Sequence, residues 1–385
     1  MVSLTLERRS DSLYIVLPIP VVAGDGFGFG EGETMSSQQW SVKKDFKFSA
    51  GPWNIHTGAD PFGPTVRPER SFIEKLKAFK DLGFDYVQFH DDDAVPDDYS
   101  AADREKKAAE IRKLLDDHGL KAEICAPRHW EDAHGIDGPV TSNNAADRKW
   151  AIERGKRTCD VARILGTDRF VWWPAREGTY IRESKDAVTS FNRMLDFLNA
   201  ILDYDKKIKV MGEMKPNEPM DLMYLPTTGH FLALAYKSID PTRVGVLIES
   251  AHAILAGLDP SDEFAYAMFH NKLWGVHLND QNGLKYDQDK TFGSVDLRRA
   301  FNQADVLVRN GYGRAGEVIG LDVKAMRTQP ADKAFAHLKH SKEIFLDLVD
   351  LVHSIDRTAW QGYVDARDYE GLERFMIQNL MGKKV

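Results

Sequence analysis

The chain has 385 residues, of which 43% are hydrophobic, 29% charged and 10% aromatic, enough for a large folded core. Its formal net charge of −8 argues against a nucleic-acid partner, which calls for a basic surface. Only two cysteines occur, Cys125 and Cys159, so a disulfide framework or a cysteine zinc site is excluded, and a reducing cytoplasm suits the chain.

Residues 1–45 are expected to be an N-terminal extension. Within it, 13–24 (LYIVLPIPVVAG) is apolar but too short for a bilayer span, which takes about 20 residues. Pro18 and Pro20 would also break a helix there, so no membrane partner is expected. The stretch 25–32 (DGFGFGEG) reads as a flexible lead, and 1–33 is expected to carry no catalytic role.

From residue 46 onward, short β-branched or aromatic runs alternate with segments of helical period. The pattern predicts strands at 46–51, 86–90, 121–126, 169–174, 209–215, 244–249, 273–279 and 317–324. Between them, 71–83, 145–166 and 297–311 read as helices. In the first, Phe72, Leu76 and Phe79 share one face, and Gly83 stands where a C-cap belongs. Eight β-then-α units predict a parallel sheet closed into a (β/α)8 barrel over 46–330. Residues 331–385 then supply a final helix and a helical tail, whose stripe of Leu372, Phe375, Met376 and Leu380 would pack on the barrel or on a partner subunit.

The polar chemistry gathers at one end of these strands. Trp53, His90, Trp130, Trp173, Glu213, Glu249, His277 and Asp322 all fall at or just past a predicted C-terminal strand end, the catalytic face of such barrels. The fifth strand reads KVMGEMKPNEP, and the two-residue spacing puts Glu213 and Lys215 on one face. The sixth ends in Glu249-Ser-Ala-His252, a carboxylate and an imidazole that can converge on one cation. After the seventh, HLNDQNGLKYDQDK offers Asp287 and Asp289 at alternate positions, hard oxygen donors suited to Mg²⁺ or Mn²⁺. The eighth adds Asp322 and Lys324. Like charges crowded in a partly dry rim repel strongly. Glu213, Glu249, Asp287, Asp289 and Asp322, with His252 and His277, are more than one divalent ion needs, and two metal sites bridged by Glu249 are expected. His90, followed by Asp91-Asp92-Asp93, is a candidate proton donor or acceptor whose second nitrogen an aspartate would hold.

FHDDD, EMKPNEP, ESAH, LNDQNGLKYDQD and the DVK of the eighth strand stand in the order and spacing seen in xylose isomerases, with DPFG at 60–63 and WWPAREG at 172–178 also similar. The chain thus resembles that family over about 46–327. The resemblance implies a metal-dependent aldose–ketose isomerase, D-xylose to D-xylulose or D-glucose to D-fructose, acting by ring opening and a metal-assisted hydride shift. It implies two divalent ions (Mn²⁺, Co²⁺ or Mg²⁺) and no organic cofactor. His90 would assist ring opening with Asp93 as its partner, and Lys215 would bond the carbonyl oxygen. Glu213, Glu249 and Asp322 would hold the first metal, and Glu249, His252, Asp287 and Asp289 the second. Trp53 and Trp173 would wall the reacting carbons, and Phe62 would reach into a neighbouring subunit's site, as in a homodimer or homotetramer.

Three departures from the family stand out. His277 falls where an aspartate ligand of the first metal is usual, and an imidazole there favours Mn²⁺, Co²⁺ or Ni²⁺ over Mg²⁺. Ala126, Arg128 and Trp130 replace a hydroxyl, an amide and a phenylalanine lining the sugar, so Arg128 is expected to meet a polar or anionic substrate group, with Trp130 and Lys324 also lining it. The tail is shorter than the family's helical arm. These changes leave open a related isomerase, epimerase or lyase acting on another sugar. A barrel endonuclease is opposed by the acidic charge, and a sugar-binding barrel without turnover by the full set of acids and bases.

Overall fold

Each predicted strand forms, and the eight close on themselves. The computed structural model describes residues 37–60 and 62–383. The barrel strands are β1 (Lys47–Ala50), β2 (Tyr86–His90), β3 (Lys121–Ala126), β4 (Arg169–Trp172), β5 (Lys209–Glu213), β6 (Val244–Glu249), β7 (Leu273–Leu278) and β8 (Val318–Leu321). They pair in parallel in chain order, and β1 joins β8 to complete the cylinder. Parallel strands covered on both faces need near-continuous apolar sequence. β6, VGVLIE, is buried at every position.

Helices α1 (Phe72–Asp81), α2 (Ala101–Asp117), α3 (Ala145–Leu165), α4 (Ala187–Tyr204), α5 (Thr228–Ala235), α6 (Pro260–Phe269), α7 (Leu297–Arg309) and α8 (Ala336–Ser354) follow the strands in turn. α1 starts at a reciprocal cap. The Ser71 hydroxyl accepts from the Glu74 amide while the Glu74 carboxylate accepts from the Ser71 amide, an arrangement worth about 1 kcal/mol. Gly83, two residues past α1, takes a left-handed φ of 70°, as a C-cap glycine does.

Alternation along the strands decides what faces the axis. Ile124, Ala126, Val171, Met211 and Leu247 form a small apolar cluster of their own, distinct from the main core between sheet and helices. The next positions of the same parity, two residues on, are Trp173, Glu213 and Glu249. The strands therefore place chemistry on top of an apolar plug.

The tail forms α9 (Arg357–Ala366) and α10 (Tyr369–Leu380), with Phe375 and Met376 buried in the main core and Leu372 and Leu380 packed against it. That stripe packs on its own chain. The chain divides into Met1–Thr34 and Met35–Val385, and the expected extension 1–33 lies outside the described residues. Residues 37–45, expected within that extension, instead adhere to the barrel. Ser41 is fully buried, its amide donates to the Val308 carbonyl, and its hydroxyl donates to the Tyr312 carbonyl. Among the described residues, no helix is long and apolar enough to cross a membrane.

Candidate active site

At the C-terminal mouth of the barrel, two groups of ligand-type side chains form and share one member. Glu213, Glu249, His277 and Asp322 bring one donor atom each within 4.8 Å of one another, and so do Glu249, His252 and Asp287. Around His277, Nδ1 lies 3.7 Å from Glu213, 3.9 Å from Glu249 and 3.9 Å from Asp322. These separations are too long for hydrogen bonds and right for donors arranged about a point between them. His252 Nε2 lies 3.2 Å from Glu249 and 3.1 Å from Asp287.

The polar atoms left over fit a cation. Both nitrogens of His277, Nδ1 of His252 and Oδ1 of Asp287 are buried without a hydrogen-bond partner. Buried polar atoms are costly unless satisfied, and these are carboxylate and imidazole donors gathered in one place. Carboxylate oxygens with one imidazole suit Mn²⁺, Co²⁺ or Mg²⁺.

The electrostatics agree. Burial, with the Asp287 charge added, pushes the Glu249 carboxyl far above its usual range, and burial with Asp287 does the same to Asp289. For Asp287, burial pushes upward, but the Lys215 and His252 charges outweigh it and hold the carboxyl well below its usual range. Burial would lower His277, yet Glu213 and Glu249 beside it raise it well above an ordinary histidine. Burial with neighbouring charge thus favours the protonated form of Glu249, and the carboxylates favour that of His277, protons with which a divalent cation would compete.

Lys215 is buried just past the end of β5. Its ammonium donates to Asp287 at 2.9 Å and to Glu218 at 3.0 Å, so Glu213, two residues earlier, is not its partner. Lys215 Nζ also lies 5.4 Å from the Trp173 ring centre. From there an aromatic arc runs round the mouth. Trp173 stacks on His252 at 6.4 Å and meets Trp130 at 4.5 Å, Trp130 meets His90 at 5.2 Å, and His90 meets Trp53 at 4.4 Å. Trp53 Nε1 donates to Asp322 at 3.0 Å, joining the arc to the carboxylates.

Several expected residues lie elsewhere than the spacing implied. Asp289 stands outside both groups. It turns at a φ of 46°, and its carboxylate is taken by the Lys324 ammonium. Lys324 thus pairs with a carboxylate of the rim while its side chain stays half exposed. Arg128 is likewise engaged, by Asp92, Asp93 and Glu131, and so is not free for an anionic substrate group. Phe62 is 97% exposed and lies outside this chain's own cluster, and its amide donates to Asp60 at 2.8 Å.

Three supporting residues escaped the sequence reading. Asn279 Nδ2 donates to Glu249 at 2.9 Å, to Asp289 at 3.2 Å and to the Asp322 carbonyl at 2.9 Å, fixing three elements of the rim. Its place in the LND motif was the available signal. Glu218 accepts from Lys215 and from the Asp287 amide at 3.0 Å. Gly320, a glycine inside a strand, marks a close approach, because a Cβ there would lie 2.6 Å from His277 and 2.8 Å from the Val276 carbonyl.

A family model described as a xylose isomerase-like TIM barrel matches residues 76–364. Among solved structures, a D-tagatose 3-epimerase-like protein is 17% identical with a TM-score of 0.58, over 79% of this chain and 98% of its own. An L-ribulose 3-epimerase is 16% identical with a TM-score of 0.58, over 82% and 97%. A 3-keto-D-glucoside 4-epimerase from E. coli is 15% identical with a TM-score of 0.56, over 77% and 99%. At such identities the likeness concerns the fold. The sequence resemblance singles out xylose isomerase, whereas these neighbours carry epimerase names, so the comparisons support the broader family and not that one activity.

Proposed function

Since the chain belongs to the xylose isomerase-like TIM barrel family, we propose that it is a divalent-metal-dependent aldose–ketose isomerase of a small monosaccharide, D-xylose to D-xylulose foremost, with D-glucose to D-fructose as the larger pair. The observation that carries this reading is Glu249, which belongs to both ligand groups and sits beside the Lys215–Asp287 pair. Glu213, Glu249, His277 and Asp322 would hold one ion, and Glu249, His252 and Asp287 the other. Asp289, paired with Lys324, would border the second site. Mn²⁺, Co²⁺ or Mg²⁺ bound there would polarise the two oxygens between which the carbonyl moves.

The chain's own residues supply the rest. His90 would meet the sugar as its ring opens. Lys215, positively charged and fixed by two carboxylates, would donate to the carbonyl oxygen as charge builds on it. Trp53, Trp130 and Trp173 would keep water from the reacting carbons, so that hydrogen passes from C2 to C1 with its electron pair and does not exchange with solvent. Phe62, exposed here, would reach a second copy in a homodimer or homotetramer. The free, buried thiols of Cys125 and Cys159 suit a reducing cytoplasm.

A second reading is a ketose epimerase. It is favoured by the engagement of Asp289 with Lys324, which leaves the Glu213–Glu249–His277–Asp322 group as the fuller one. Purified chain stripped with chelator and reloaded with Mn²⁺ should be offered a panel of aldoses and ketoses, with products resolved by NMR in D₂O. Ketose formed from xylose without solvent deuterium supports isomerisation. Inversion at C3 of a ketose with deuterium uptake, and aldoses untouched, would replace it with the second reading.

A further inference from the structure

His90 Nδ1 sits between two groups of opposite hydrogen-bonding character. Asp93 Oδ2, which can only accept when ionised, lies 2.9 Å away, and Arg128 Nη2, which can only donate, also lies 2.9 Å away. A neutral imidazole nitrogen holds either a proton or a lone pair. Nδ1 can therefore satisfy one neighbour and not the other.

The surroundings break the tie. Asp93 does not need the imidazole proton, because Oδ2 already accepts from the His90 amide at 2.9 Å and Oδ1 from Arg128 Nη2 at 2.9 Å. Arg128 cannot turn away. Its Nε donates to both oxygens of Asp92 at 2.8 and 3.1 Å, Nη1 lies 3.2 Å from Glu131, and its own amide donates to Asp91. Asp91 and Asp92 are gripped in turn by Arg154 at 3.0 and 3.1 Å. The planar guanidinium is thus fixed on both edges, with one Nη2 hydrogen for Asp93 and the second directed at His90 Nδ1.

We propose that Arg128 is a positioning residue that holds His90 in the Nε2–H tautomer, so that His90 meets the sugar as a hydrogen-bond donor and not as a base. Nε2 forms no hydrogen bond among the described residues and is free for a substrate oxygen. If Asp93 alone decided, Nδ1 would carry the proton and Nε2 a lone pair, and His90 would present the opposite polarity. The role in turnover rests on the isomerase reading, but the tautomer does not.

The test is ¹⁵N NMR of the full, metal-loaded chain labelled at the histidine ring nitrogens, with the His90 signals identified by their loss in His90→Gln. At neutral pH the wild-type spectrum should show Nε2 protonated and Nδ1 bare, and Arg128→Met should reverse the pattern. A wild-type His90 protonated at Nδ1, singly or doubly, overturns the proposal, as does an Arg128→Met spectrum unchanged from wild type. Should Arg128→Met not fold, Asp93→Asn decides. Retention of the Nε2–H pattern without the carboxylate supports Arg128 as the determinant, and its loss overturns it. None of these outcomes depends on xylose being turned over, so a failed sugar assay leaves the spectra decisive.

Discussion

Gly320 of β8 lies opposite His277 of β7, and a methyl group on it would come within 2.6 Å of the imidazole. The glycine is what allows the imidazole to stand in line with Glu213, Glu249 and Asp322. Gly320→Ala should push His277 out of place and also meet the Val276 carbonyl, which cannot move without breaking the sheet. Such overpacking costs about 1–3 kcal/mol. Urea unfolding should show that loss, and calorimetric Mn²⁺ titration should show weaker binding. Unchanged Mn²⁺ affinity would remove His277 from the ligand set.

His277 itself should set the choice of metal. An imidazole in place of a carboxylate removes a negative charge and a hard oxygen, which disfavours Mg²⁺ relative to Mn²⁺ or Co²⁺. The wild-type chain should be activated better by Mn²⁺ or Co²⁺, and His277→Asp should shift the ratio toward Mg²⁺. Metal titrations of stripped protein measure both. Mg²⁺ as the clear best activator of wild type would contradict the assignment.

Lys215 should matter more to rate than to folding. Its ammonium is held by Asp287 and Glu218 and lies beside the Trp173 ring. Lys215→Met removes the charged donor and should lower kcat by about a hundredfold or more, the scale for losing a preorganised oxyanion contact. Steady-state kinetics on the Mn²⁺-loaded variant give the answer, and a wild-type kcat would confine the lysine to holding the rim.

Acid should destabilise the barrel through histidines that never face the substrate. Burial, helped by Arg154, lowers His129 to about 3, and burial lowers His337 to about 4. In the unfolded chain both titrate near their ordinary value of about 6.5. The unfolded state then binds more protons between these limits, so stability is whole above about pH 6.5 and drains away as the pH falls toward 4 and 3. By pH 5 each should cost on the order of 1–2 kcal/mol. Comparing urea midpoints at pH 7.5 and 5.0, His129→Gln should lose less between the two than wild type. Equal losses would clear His129.

Much of the architecture was legible because hydrophobic alternation is a local property. Tyr86–His90, Lys121–Ala126 and Val244–Glu249 form strands with the bounds their sequence predicts. Strands one, four, five, seven and eight end one to three residues earlier than expected, since their last residues leave the ladder at the mouth. Past that early end, the two-residue spacing no longer says which partner Lys215 takes. Alternation fixes side-chain direction only inside a pleated strand, and β5 stops at Glu213.

The order of residues along the chain, by itself, determined that eight β/α units would close into a barrel and that acids and histidines would collect at one mouth. Tertiary structure alone decided which of them pair: Lys215 with Asp287, 72 residues on, Lys324 with Asp289, and Arg128 with the histidine 38 residues before it. The reason is physical. Periodicity follows from the backbone's local geometry, whereas the partner of a buried charge depends on which loop ends the closing cylinder brings within about 3 Å, and that distance belongs to the whole fold.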